Sequence, residues 1–332
     1  MSEHQEWLDL TDEAALEPEL PVCDPHHHFW HYPTSRYLVE EFLQDISGGH
    51  RILKTVFVEC LQFYDDDAPK ELQPVGETVA VDRMVNAPPA KDQTALAAGI
   101  VGFADLTLGD GVRPVLEAHL QASPKFRGIR YATAWHTDAA IRNAHTGPPD
   151  KLMSDPTFRE GLQHVADMSL SFDAWLYHTQ LPELVDLARA FPELTIVLNH
   201  MAGPLGIGPY SSQRKQEFRY WKRQMKSLSQ CENVSVKLGG RAMKMSGFEW
   251  HMQARPPGSK ELATAMAPYF ESCIEQFGPE RCMFESNFPV DKASCNYTVL
   301  WNAFKRVAST YTEAERRLLL HDTAVRFYRL DM

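Results

Sequence analysis

Short apolar runs recur along the chain, each ending in polar or unusual residues. They occupy positions 21–24, 55–60, 97–103, 126–130, 170–177, 194–198, 234–238 and 282–285. Near-continuous runs of this length fit strands buried on both faces, as a parallel sheet requires. Helical patterns lie between them. Leu181, Leu184, Val185 and Ala188 share one face of a helix over 181–191, with Pro182 tolerated in its first turn. Leu262, Met266, Phe270, Ile274 and Phe277 repeat at helical spacing, and Gly278-Pro279 stops that helix. Residues 302–308 and 313–328 read as further helices.

Eight strand candidates separated by helical or long irregular crossovers predict one distorted (β/α)8 TIM barrel over residues 21–332. Residues 1–20 are acidic and lack periodicity, so they are expected to form a surface-lying tail. An open doubly wound sheet is the rival architecture, but no G-x-G-x-x-G follows any of the strands. The stretches 61–94 and 131–156 are expected to be long loops over one mouth of the barrel.

Composition narrows the function without naming it. A length of 332 residues would suggest two domains, yet one α/β barrel spans roughly 250 residues or more. Hydrophobic residues make up 44% and charged residues 23%, which excludes disorder for the bulk of the chain. Lys+Arg 33 against Asp+Glu 44 gives a net charge of −11, a surface that repels phosphate backbones. No apolar stretch approaches the ~20 residues of a membrane span, and the first twenty residues are too acidic for a signal peptide. The six cysteines are scattered and form no C-x-x-C pair. These features predict a reduced, cytoplasmic protein that acts on a small molecule, with neither nucleic acid nor membrane as partner. A homo-oligomer is left open.

The placement of histidine carries more information than its count of 14. Asp24-Pro25-His26-His27-His28 directly follows the first run. Alternate residues of an extended chain face one way, so His26 and His28 point inward together while His27 faces elsewhere. Two converging imidazoles suit a borderline cation such as Zn²⁺. His178 follows the fifth run and Asn199-His200 the sixth, at the carboxyl ends where barrel enzymes place their chemistry. Singly, each fits a hydrogen-bonded rim histidine better than a ligand; delivered by three strands to one face, they point to a site. Arg130 ends the fourth run, suited either to a substrate carboxylate or to a structural salt bridge. Glu285, Asn287 and Asp291 lie at the eighth. Glu59, ending the second run, is suited to orient a ligand histidine. Cys60 beside it is read as a small apolar residue. Trp30, Tyr64, Trp135 and Tyr210 are candidates either for the pocket wall or for packing.

The order D-x-H-x-H, strand-five His, strand-six Asn-His and strand-eight Ser286-Asn287-Phe288-Pro289 resembles the amidohydrolase superfamily. It is most similar to the amidohydrolase-related TIM-barrel hydrolases that include sugar-acid and pyrone-dicarboxylate lactonases, and the likeness runs from about Pro21 to Leu330. The resemblance implies hydrolysis of a lactone or similar carboxyl derivative. It also implies ligation of one divalent cation by His26, His28 and His178, with zinc first and manganese the alternative. Some related lactonases work without metal, which leaves a metal-free mechanism open. His200 matches a position that ligates a second metal or polarises substrate.

Asn287 departs from that pattern, which carries an aspartate there to take a proton from the attacking water. A carboxamide is a poor base, so this duty must move or vanish. Asp291, beyond the strand end, is the preferred replacement; Glu285 is the other, as ligand or as partner to Lys237. The sequence therefore predicts metal-assisted opening of a lactone or ester, with Arg130 on a substrate carboxylate, Trp30 and Glu59 beside it, and His200 on the developing oxyanion. A decarboxylase or hydratase of an aromatic or unsaturated acid is the first alternative. A catalytically silent ligand-binding barrel is the second.

Overall fold

A computed structural model describes residues 3–86 and 94–331. Eight parallel strands pair in sequence order: β1 Pro21–His27, β2 Arg51–Val58, β3 Ala95–Gly102, β4 Phe126–Ala132, β5 Ser171–Trp175, β6 Thr195–Leu198, β7 Val234–Leu238 and β8 Cys282–Phe284. The predicted (β/α)8 barrel is the observed fold. One helix follows each strand: α1 Val39–Ile46, α2 Val75–Asn86, α3 Arg113–Ala122, α4 Pro156–Asp167, α5 Leu181–Ala190, α6 Arg214–Leu228, α7 Ser259–Phe277 and α8 Tyr297–Ala308. Helices on the outside and side chains in the bore bury both faces of the sheet, which is why all seven residues of β4 are buried.

The ring closes at its C-terminal rim. β8 has three residues, and the segment after it completes the seam: Asn287 N donates to His26 O at 3.0 Å and His28 N to Phe288 O at 2.8 Å. The opposite end is plugged. The C-terminal segment breaks into Glu313–Arg317, a wider π-helical turn Leu318–Asp322, and Thr323–Phe327, where the sequence pattern predicts one helix. It packs Ala324, Val325, Tyr328 and Leu330 against Cys23, Val56, Val58, Val101, Val197 and Met283, the apolar filling of the bore.

Two sequence expectations change. Much of the predicted loop 61–94 is α2, whose buried stripe of Glu77, Thr78, Val81 and Val85 is half polar and so weak as a hydrophobic pattern; residues 87–93 lie outside the described residues. The N-terminal stretch contains a short helix, Glu3–Leu8, with Leu8 fully buried. Lys305 Nζ donates to the carbonyls of Leu16 and Glu17 at 2.9 and 2.8 Å, and Asn302 Oδ1 accepts from Leu16 N at 2.7 Å. No helix among the described residues is long and apolar enough to cross a membrane.

Deleting residues 1–18 removes those partners from Lys305 and Asn302. It is expected to lower stability by about 2–4 kcal/mol, read as a lower urea midpoint. An unchanged midpoint would show that the strap rests on the barrel without supporting it.

Candidate active site

β1 carries His26 to the rim and His28 directly follows it, with their Nε2 atoms 3.3 Å apart. His28 Nδ1 lies 2.7 Å from the Val58 carbonyl, which can only accept, so the proton sits on Nδ1 and the Nε2 lone pair is free. His27 faces away, with Nε2 2.9 Å from Thr55 Oγ1 and its ring stacked on Phe42. Burial first, then the Lys237 ammonium, holds His26 well below the usual histidine range; burial and Arg130 do the same for His28. Neutral imidazoles with converging lone pairs are the form a cation requires.

Glu285, directly after β8, joins two of the histidines. Its Oε1 lies 2.6 Å from His200 Nδ1 and accepts from His200 N at 3.0 Å, while Oε2 lies 2.9 Å from His26 Nδ1. The pair is packed into a cradle. His200 and the two residues after it are left-handed, and Gly239-Gly240 approaches so closely that a methyl on either glycine would overlap Glu285 or the His200 ring. That tandem glycine, directly after the β7 run, is the signal the sequence reading passed over.

The other candidates separate into two groups. Arg130 Nε donates to Glu59 Oε1 at 2.7 Å and its Nη2 to the Glu59 carbonyl. Burial would raise the Glu59 carboxyl, but Arg130 and His145 hold it at about 2. Glu59 thus fixes Arg130, whereas the Val58 carbonyl, not Glu59, orients His28. Asn287 stands in the cavity wall with φ +55°, and its Nδ2 donates to Asp291 Oδ1 at 3.0 Å. Asp291 is buried behind it and also accepts from Ala242 N at 3.2 Å. Desolvation, with the charge of Glu285 adding to it, pushes Asp291 up to about 8. The carboxylate in contact with the histidines is therefore Glu285. Lys237 pairs with Asp173 at 2.7 Å rather than with Glu285.

His178 stands apart. Its Nε2 lies 3.1 Å from Glu217 Oε2, and its ring packs against Tyr210 and Tyr220. The strand ends two residues earlier than the apolar run suggests, and a tight turn, His178–Gln180, carries the imidazole away from His26 and His28. Gln180 from the same motif holds Trp135 N and Thr133 O, bracing the loop after β4. Cys60 remains a protonated thiol, because burial and Glu77 raise it well above the thiol range.

These groups enclose a cavity of about 430 Å³ lined by His28, Trp30, Arg130, Arg142, Trp175, Tyr177, His200, Met243 and Asn287 among others. Of the four aromatic candidates, Trp30 is in its wall. A larger cleft of about 750 Å³ lies beside α2, lined by Phe63, Leu72, Val75 and Met84, and holds none of the histidines. Donor atoms of His26, His200 and Glu285 all lie within 4.8 Å of one another, and Glu285 Oε2 has no well-aligned hydrogen-bond donor. With the His26 and His28 Nε2 atoms 3.3 Å apart beside that carboxylate, the donors present fit a divalent cation.

Residues 23–330 match the family described as Amidohydrolase. The chain belongs to the amidohydrolase family. It is 32% identical over 334 residues to the uncharacterised protein y4mH of Sinorhizobium fredii, covering 94% of this chain and 99% of that one. It is 26% identical to an L-fucono-1,5-lactonase of Burkholderia ambifaria, with 82% of each covered. Its fold matches an amidohydrolase of Burkholderia multivorans solved with bound zinc, at TM-score 0.70 and 20% identity, covering 93% of this chain and 99% of that one. Family and relatives together identify a hydrolytic enzyme.

An acid whose folded value is raised stabilises the fold below its ordinary value and loses that contribution as pH climbs through the folded value. For Asp291 the window runs from about 4 to about 8. Asp291→Asn is therefore expected to gain stability relative to the native chain across that window, measured as urea midpoints at several pH values. A difference that does not change with pH would mean that Asp291 is ionised in the fold.

Proposed function

We propose that this amidohydrolase opens a lactone, or a related ester, of a small carboxylate-bearing acid. The observation that carries the reading is the cluster of His26, His200 and Glu285, with His28 3.3 Å from His26, beside a cavity whose wall holds His28, His200 and two guanidinium groups. The lactonase relative supports the bond type, and the zinc in the structural neighbour supports a cation at this fold's rim. His26 and His28 would hold a divalent ion, zinc or manganese, beside Glu285; His178 is omitted because Glu217 engages it. Such an ion would polarise the carbonyl of the substrate.

The chain's own groups supply the proton movements. Glu285 fixes the Nδ1 proton of His200, which leaves Nε2 to take a proton from water as its oxygen bonds to the carbonyl carbon. Glu285 stabilises the imidazolium that results. The same proton then passes to the ring oxygen as the C–O bond breaks, so one group serves as base and acid. Asn287, held by Asp291, presents its carbonyl oxygen to the substrate. Arg130, locked by Glu59, and Arg142, which makes no ion pair among the described residues, receive the carboxylate.

Glu285→Gln is expected to lower kcat on a responsive lactone by about 10²–10⁴-fold. His26→Ala should abolish stoichiometric binding of Zn²⁺ or Mn²⁺, seen by elemental analysis. Undiminished turnover in His26→Ala protein stripped of metal would sink the cation's role. Release of CO₂ in place of ring opening would overturn the hydrolytic reading. Arg142→Ala is expected to raise KM about tenfold with kcat nearly unchanged, the cost of one charge-assisted hydrogen bond. A KM that does not move would remove Arg142 from the substrate site.

A further inference from the structure

Beneath the histidines the bore buries charges that the reaction above does not use. Lys237 on β7 is fully buried; its Nζ donates to Asp173 Oδ2 on β5 at 2.7 Å and lies 3.2 Å from His26 Nδ1. Asp173 also accepts from Asn199 Nδ2 at 3.1 Å and from the Tyr328 hydroxyl at 2.8 and 3.0 Å. The Tyr328 ring faces the ammonium, with its centroid 5.2 Å from Nζ. Stability alone does not account for the pair. A buried ion pair is often no better than apolar residues of similar volume, and the bore also holds the apolar cluster of Cys23, Val56, Val58, Val101, Val197 and Met283.

Resting on the reading of His26 and His28 as ligands, we propose that Lys237 is a built-in counter-cation that limits the affinity of this site for its divalent ion. Two effects act in the same direction. A fixed positive charge in a low-dielectric bore repels a second cation placed on the other side of the same imidazole. The second effect concerns which nitrogen of His26 carries the proton. Glu285 Oε2 lies 2.9 Å from Nδ1 and, brought into line with it, would accept a proton there and leave the Nε2 lone pair free for a cation. Lys237 can only donate to Nδ1, which forces the proton onto Nε2, where His28 Nε2 accepts it at 3.3 Å. Lys237 favours the cation-free arrangement and Glu285 the cation-bearing one. Asp173 moderates the ammonium by neutralising part of its field.

The two members of the pair therefore act with opposite sign. Full-length protein, stripped with a chelator, is titrated with Zn²⁺ against a chromophoric competitor at fixed pH, with circular dichroism to verify folding. Lys237→Met is expected to bind Zn²⁺ about tenfold more tightly or better, and Asp173→Asn, nearly isosteric, about tenfold more weakly. If Lys237→Met fails to fold, Asp173→Asn together with Asp173→Asn/Lys237→Met carries the test, the double variant binding more tightly than the single. A wild-type chain that binds no Zn²⁺ beside a Lys237→Met chain that binds one ion also supports the proposal. Equal weakening in both single variants, the signature of a merely structural pair, overturns it and leaves the ligand reading intact. Absence of Zn²⁺ binding in every variant overturns both.

Discussion

The site depends on how the gap between β8 and β1 is filled. A strand of three residues cannot close a barrel, so residues 285–288 finish the ladder with their own backbone. Asp24 clamps the joint: Oδ1 accepts from Ser286 N at 2.9 Å and Oδ2 from the Tyr297 hydroxyl at 2.9 Å. The hydrogen bonds that seal the ring therefore fix the backbone that presents His26, His28 and Glu285. Closure and site geometry are one constraint, and neither can relax without the other.

That constraint explains the distribution of buried charge. Glu59 is matched by Arg130 and Asp173 by Lys237, whereas Glu285 meets histidines and no Lys or Arg. Imidazoles around a carboxylate that no Lys or Arg neutralises favour positive charge at that point. Arg130 and Arg142, in the cavity wall, favour negative charge beside them. The two fields have opposite sign, which suits a substrate whose carbonyl and carboxylate lie at different ends.

Much of this was legible in the chain. The apolar runs located all eight strands because a parallel sheet covered on both sides tolerates few polar residues. The D-x-H-x-H spacing put His26 and His28 on one side because strand alternation is a local property. Three features escaped. His178 sits at the end of an apolar run, but the strand stops early, and a one-turn helix rotates it towards Glu217. Asp291 lies past the strand end, yet a left-handed Asn287 turns the chain and buries it, so the nearer Glu285 faces the histidines. α2 stayed hidden because Glu77 and Thr78 occupy core positions: Glu77 accepts from Cys60 N and Gln62 N, and Thr78 Oγ1 lies 2.8 Å from His119 Nδ1. Each miss comes from contacts between distant segments, which no local pattern records.

The seam joins partners far apart in the chain, Asp24 and Ser286 being 262 residues distant. During synthesis the ribosome makes β1 first, and its outer edge has no partner until residue 288 has emerged. An unpaired parallel edge is a template for pairing with other chains, so the growing polypeptide carries an aggregation hazard for most of its translation. Histidines on that edge are among the earliest residues made and among the last to be locked.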